Sequence, residues 1–229
     1  TWSSRCVRLP ASSSMAPSAR LERRNDASGS RASRAWRALP ILLLLFLTLS
    51  PPAIAHDAAV GDGGSFFAGF THPLYGPDHI AAMVAVGIWG AFLGSPAIWL
   101  LPVLFPIVMA LGGALAITGL SLPMIEPGVA LSSVVLGLSI VAAWRAPLAL
   151  AGVIVAVFAI CHGYAHGAEI PHAANPVGYA AGFVLATGML HLLGILFGTL
   201  ADRPRGAMVL RGSGAMIALA GAGFLFGFF

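Results

Sequence analysis

Charge is scarce in this chain. Charged residues make up 9% of its 229 residues, against roughly 25% in ordinary soluble domains, and lysine is missing altogether. There are two cysteines, Cys6 and Cys161. With Cys6 in an N-terminal segment expected to be removed, the mature chain has no partner for a disulfide. No cysteine-based zinc motif is present, and neither is a glycine-rich nucleotide loop, so ATP is not expected to be consumed by this chain. Basic patches interleaved with aromatics are also lacking, which argues against nucleic acid as a partner.

Apolar residues are abundant instead. They reach 58% of the chain, with a mean hydropathy of +0.90. A soluble chain of this length could not enclose so much apolar surface in one core, because surface falls only slowly relative to volume as size grows. The lipid bilayer is therefore the expected solvent.

The net charge of +4 is misleading when taken over the whole chain. Eight of the twelve arginines lie in the first 37 positions (Arg5, Arg8, Arg20, Arg23, Arg24, Arg31, Arg34 and Arg37). From His56 onward four arginines face six acids, a formal charge of −2. Residues 1–37 read as a basic, disordered extension. Residues 38–55 follow with an apolar block, the breakers Ser50-Pro51-Pro52 and an Ala-x-Ala ending at Ala55. That order describes a secretory signal peptide cleaved after Ala55. At about 12 residues, the apolar block is short of the ~20 that a spanning helix needs.

Residues 56–229 form the expected transmembrane domain, an all-α bundle. Six apolar segments are predicted, at Pro77–Gly94, Ala97–Gly119, Pro127–Trp144, Pro147–Ala165, Pro176–Leu200 and Ala207–Phe229. Pro102 and Pro106 are expected to kink the second. With His56 outside, six spans place Arg145, Arg203, Arg205 and Arg211 on the inner side, as the positive-inside rule requires. The implied location is a bacterial inner membrane, multi-pass, with the mature N-terminus in the periplasm.

Ionisable groups within membrane segments are costly and mark pathways or sites. Here they concentrate in three places. His72, Asp78 and His79 lie in His-Pro-Leu-Tyr-Gly-Pro-Asp-His at the external entry to the first span. His162, His166 and Glu169 lie in His-Gly-Tyr-Ala-His-Gly-Ala-Glu at the end of the fourth, with spacings of four and three that put all three on one helix face. His191 lies in the fifth, one turn after Thr187. Asp78 and His79 are adjacent and would diverge on a regular helix, so Gly76 and Pro77 are expected to loosen the start of the first span, with an unwound or re-entrant piece before it.

Such a set of imidazoles and carboxylates suits a divalent ion of the Ni, Co or Zn type. Other readings remain for the separate parts. His191 alone would ordinarily hydrogen-bond a neighbouring helix, Asp78 and His79 could satisfy each other, and Glu126 reads as a cap or surface carboxylate. His172 reads as solvated. His56, at the new N-terminus, offers an amine and an imidazole at the external mouth.

The motifs resemble those of the HupE/UreJ family of nickel/cobalt permeases, associated with hydrogenase and urease maturation. His72, Asp78 and His79 match its His-x5-Asp-His pattern. His162, Gly163, Ala165, His166, Gly167 and Glu169 match Phe-His-Gly-x-Ala-His-Gly-x-Glu, with Cys161 in place of phenylalanine. Thr187-x3-His191 resembles the family's fifth-helix segment. The resemblance implies a non-enzymatic permease without a resident cofactor. It would carry Ni²⁺ or Co²⁺ as substrate from periplasm to cytoplasm, with a functional link to hydrogenase or urease maturation proteins. The metal path would use His72, Asp78, His79, His162, His166, Glu169 and His191. Two alternatives use the same residue types: an intramembrane zinc hydrolase and a haem protein with axial histidines on different helices.

Overall fold

The computed structural model describes residues 62–169, 175–203 and 205–228. The expected extension (1–37), the signal peptide (38–55), His56 and His172 lie outside these residues. So do the side chains of Ala168 and Glu169.

Among the described residues every regular element is a helix. The elements are α1 (Asp62–Tyr75), α2 (Pro77–Leu93), α3 (Ala97–Ile117), α4 (Ile125–Val141), α5 (Leu148–Glu169), α6 (Pro176–Gly198), a 3-10 turn (Thr199–Asp202) and α7 (Gly206–Leu225). Helices α2 to α7 correspond to the six apolar segments, and their bounds follow local punctuation. Pro77 opens α2 and Pro176 opens α6, where a missing N–H costs nothing. Asn175 caps α6 by accepting from the Gly178 N–H at 2.9 Å. Glu126 is exposed in the first turn of α4, where a negative charge suits the helix dipole. Pro102 and Pro106 both sit inside a continuous α3.

Four helices are each long and apolar enough to cross a bilayer: α3, α5, α6 with the following turn, and α7. Helices α1 and α2 pass the same test as a pair, bent by 81° at Gly76. Helix α4, with 17 residues, is a shorter apolar helix at the lower edge of spanning length. The segment before the first span is thus a regular helix, α1, ending at a sharp corner. Gly76 adopts φ −90°, ψ 102°. That extended conformation is what a residue before proline prefers.

Helix α2 is the axis of the bundle. Its residues Ile80 to Gly90 are buried without interruption, as befits a helix apolar on all sides. The outer helices carry the lipid-facing surface. Trp99, Val103, Ile107 and Leu111 on α3 are exposed, as are Val153 and Val157 on α5 and Leu192, Leu193 and Leu196 on α6. In water that much apolar exposure would drive aggregation, whereas in lipid it is the ordinary surface.

Small residues set the helix spacing. A Cβ at Gly112 or Gly163 would run into the backbone across the α3/α5 contact, and Gly87 and Gly194 play the same part between α2 and α6. Gly69 and Gly182 do so between α1 and α6, and Gly137 and Gly214 between α4 and α7. In a membrane, such close backbone approach supplies packing that the hydrophobic effect cannot. The far end of α2 is closed by Trp89, whose indole N–H donates to the Trp144 carbonyl at 3.0 Å, while the two rings stack at 5.8 Å.

A candidate metal path lined by histidines

Three helices bring four imidazoles together. Helix α5 supplies His162 and His166, one turn apart on its inner face and both buried, at 0% and 6% exposure. Helix α1 ends with His72, whose Nε2 lies 3.0 Å from Nδ1 of His166. The first turn of α2 supplies His79, whose ring stands 4.8 Å from that of His162 and 4.3 Å from that of His166. His79 is thus the middle of the cluster. The corner at Gly76 lies between the two, and His72 and His79 meet at the same residue of α5, His166.

Asp78 does not diverge from His79 as a regular helix would suggest. Its Oδ1 accepts from the His79 backbone N–H at 2.9 Å and from Nδ1 of the same residue at 2.8 Å. An ionised carboxylate only accepts, so Nδ1 is the protonated nitrogen of this contact. The expected mutual satisfaction of the pair therefore exists, but it uses one face of the ring only. His79 Nε2 is buried and has no hydrogen-bond partner among the described residues. A carboxylate holding the far nitrogen of a histidine in this way orients the ring and raises its basicity as a ligand.

His191 and Thr187 lie apart from this group. Both are buried on α6, and Phe105 of α3 packs against a histidine of each set, its ring 5.5 Å from that of His162 and 5.3 Å from that of His191. The ordinary fate of a lone membrane histidine, a hydrogen bond to a neighbouring helix, is not realised. Neither nitrogen of His191 nor the Thr187 hydroxyl has a partner among the described residues. Glu169 is the last residue of α5.

Residues that the sequence did not single out complete the surroundings. Phe183 and Tyr179 of α6 pack their rings against His72, at 6.0 and 5.9 Å, and Phe183 also meets His166 at 4.5 Å. Ser132 of α4 places its hydroxyl 2.9 Å from His162 Nε2. None of these three stands in a metal-ligand pattern or carries a charge, so nothing marked them beforehand. Among the described residues, no three His, Cys, Asp or Glu side chains already converge on a single point. The cluster is a row of neighbouring imidazoles rather than a closed cage.

Comparison with known proteins agrees with the motifs. The HupE / UreJ protein family model matches residues 43–224. The chain belongs to the HupE/UreJ family. Protein HupE of Rhizobium leguminosarum bv. viciae is 44% identical over 179 residues, which cover 78% of this chain and 94% of that relative. No solved structure matches. The histidine cluster, Phe105 and His191 all fall within the part that the HupE/UreJ model covers.

Proposed function

We propose that this HupE/UreJ chain is a secondary permease or facilitator that moves Ni²⁺, or Co²⁺, from the periplasm to the cytoplasm of a bacterium. The observation that carries the reading is the set of buried polar atoms without a hydrogen-bond partner among the described residues: His79 Nε2, His162 Nδ1, both nitrogens of His191 and the Thr187 hydroxyl. Leaving each such group without a hydrogen bond costs about 1–3 kcal/mol. A fold that keeps several of them in one region needs a ligand to justify them, and imidazole donors suit a divalent ion of this class.

The geometry supports a reading with two stations. His72, Asp78, His79, His162 and His166, with Glu169 at the end of their helix, form an outer site that replaces the water shell of the ion. His191 with Thr187 forms the next, beyond Phe105. Conduction requires sites strong enough to strip water yet numerous or weak enough to pass the ion on. A series of partial imidazole sites meets that requirement better than one complete cage. The protein would sit in the inner membrane with its mature N-terminus in the periplasm, and the nickel would serve hydrogenase or urease maturation. No chemical step is assigned to the chain, and the zinc hydrolase alternative gains no support from the family match.

The test is ⁶³Ni²⁺ uptake by cells expressing the full chain, with Co²⁺ and Zn²⁺ as competitors and a His166→Ala variant beside it. Uptake that depends on His166 and is blocked best by Co²⁺ is the expected result. Uptake no greater than that of empty cells, with membrane expression verified, would refute transport.

A further inference from the structure

Ser132 is fully buried on α4, and its hydroxyl meets two groups at once. Its Oγ lies 2.6 Å from the carbonyl oxygen of Val129 and 2.9 Å from Nε2 of His162. The carbonyl carries no hydrogen, and two oxygens come this close only with a proton between them. That proton is the serine's, so Ser132 donates to Val129. A hydroxyl has one proton to give. Towards His162 the same oxygen can only accept, and the hydrogen of that contact must sit on Nε2. A neutral imidazole protonated at Nε2 carries its lone pair on Nδ1. His162 Nδ1 is buried and has no hydrogen-bond partner among the described residues.

We propose that Ser132 is a positioning residue that holds His162 as the Nε2–H tautomer and thereby presents Nδ1 to a divalent cation. The inference rests on the metal-path reading of the cluster and assigns the donor atom within it. It also separates two neighbouring ligands by chemistry. Asp78 holds His79 by Nδ1 and leaves Nε2 outward, whereas Ser132 holds His162 by Nε2 and leaves Nδ1 outward. The two rings lie 4.8 Å apart and so offer different nitrogens to the space around them. The partner of His79 is a carboxylate and that of His162 a neutral hydroxyl. A charged acceptor raises the basicity of the imidazole more, so His79 is the tighter ligand and His162 the looser one. A graded pair of this kind favours handing an ion onward over trapping it.

The experiment uses the full chain purified in detergent, ¹⁵N-labelled at histidine and free of metal, with the His162 signals assigned by difference against His162→Gln. The ¹⁵N shifts report which ring nitrogen carries the proton. Ni²⁺ binding is then measured by calorimetry for the wild type, Ser132→Ala, Ser132→Thr and Ser139→Ala. Ser139 lies on the same helix and donates only to its own turn, at Val135 O, 2.8 Å away. The expected result is an Nε2–H His162 in the wild type. Ser132→Ala should show mixed tautomers and Ni²⁺ affinity lower by about 10–100-fold. Affinity near the wild type is expected for Ser132→Thr, which keeps a hydroxyl, and for Ser139→Ala. A wild-type His162 protonated at Nδ1 would overturn the inference, as would unchanged affinity in Ser132→Ala or an equal loss in Ser139→Ala. If the wild type binds no Ni²⁺, the metal-path reading fails, and the metal-free spectra alone still decide whether Ser132 sets the tautomer.

Discussion

His79, in the first turn of α2, stands 4.3 Å ring to ring from His166 near the end of α5, and the same ring is 4.8 Å from His162 one turn earlier on that helix. One side chain at the corner after Gly76 thus faces both histidines of the second motif. The two motifs meet there in one cluster.

The role of Asp78 follows from its contact with His79 Nδ1. Asp78→Asn keeps the size but removes the charge that favours the Nδ1 proton and raises the basicity of the ring. Ni²⁺ affinity is expected to fall about 10–100-fold, the usual effect of losing a group that orients a metal ligand. Equilibrium dialysis of the purified variant checks this, and unchanged affinity would remove Asp78 from the site.

His191 offers a test in which stability and function move in opposite directions. Both of its nitrogens are buried without a hydrogen-bond partner among the described residues, an arrangement that costs stability. His191→Leu should therefore stabilise the fold by roughly 1–3 kcal/mol while abolishing ⁶³Ni²⁺ uptake. Thermal unfolding in detergent supplies the first readout. A destabilised variant would instead show that His191 is there for packing.

The contact of Phe105 with both histidines carries its own expectation. Phe105→Ala removes the ring that packs against His162 and His191, and on the two-station reading the ion would no longer be passed between separate sites. Discrimination between Ni²⁺ and Zn²⁺ should weaken, read as stronger Zn²⁺ competition in uptake. The same competition profile as the wild type would mean that the ring only fills space.

Helix spacing can be probed away from the histidine nitrogens. In Gly163→Ala the new Cβ meets the Met109 backbone, whereas at Gly212 a Cβ meets nothing within 4 Å. The first change should cost about 1–3 kcal/mol through overpacking. Gly212→Ala should be neutral, or stabilising by up to about 1 kcal/mol through helix propensity. Parallel unfolding curves would show the difference, and equal curves would contradict the close α3/α5 contact.

Much of the architecture was legible from apolar runs and the prolines that bound them. Ala97–Gly119 became α3, Ala97–Ile117, and Pro176–Leu200 became α6 with its terminal turn. Helix α1 was not anticipated as a helix, because its residues Asp62–Tyr75 mix Gly, Phe, Thr and Pro without a long apolar run. It is held by packing: Gly69 and Gly182 let its backbone lie against α6.

The sequence by itself determined that the chain belongs in a bilayer, that it is helical, and which costly side chains it carries there. Composition and run length are local properties, and hydrocarbon leaves a polar backbone few other conformations. Only the tertiary structure decided which of those side chains meet and by which atoms. His72 and His79, on either side of the 81° corner at Gly76, both meet His166 of α5, Phe105 packs against both His162 and His191, and Ser132 of α4 reaches His162 of α5. Those relations depend on how helices dock. Docking is set by small residues distributed over the whole chain, so no single stretch of sequence contains it.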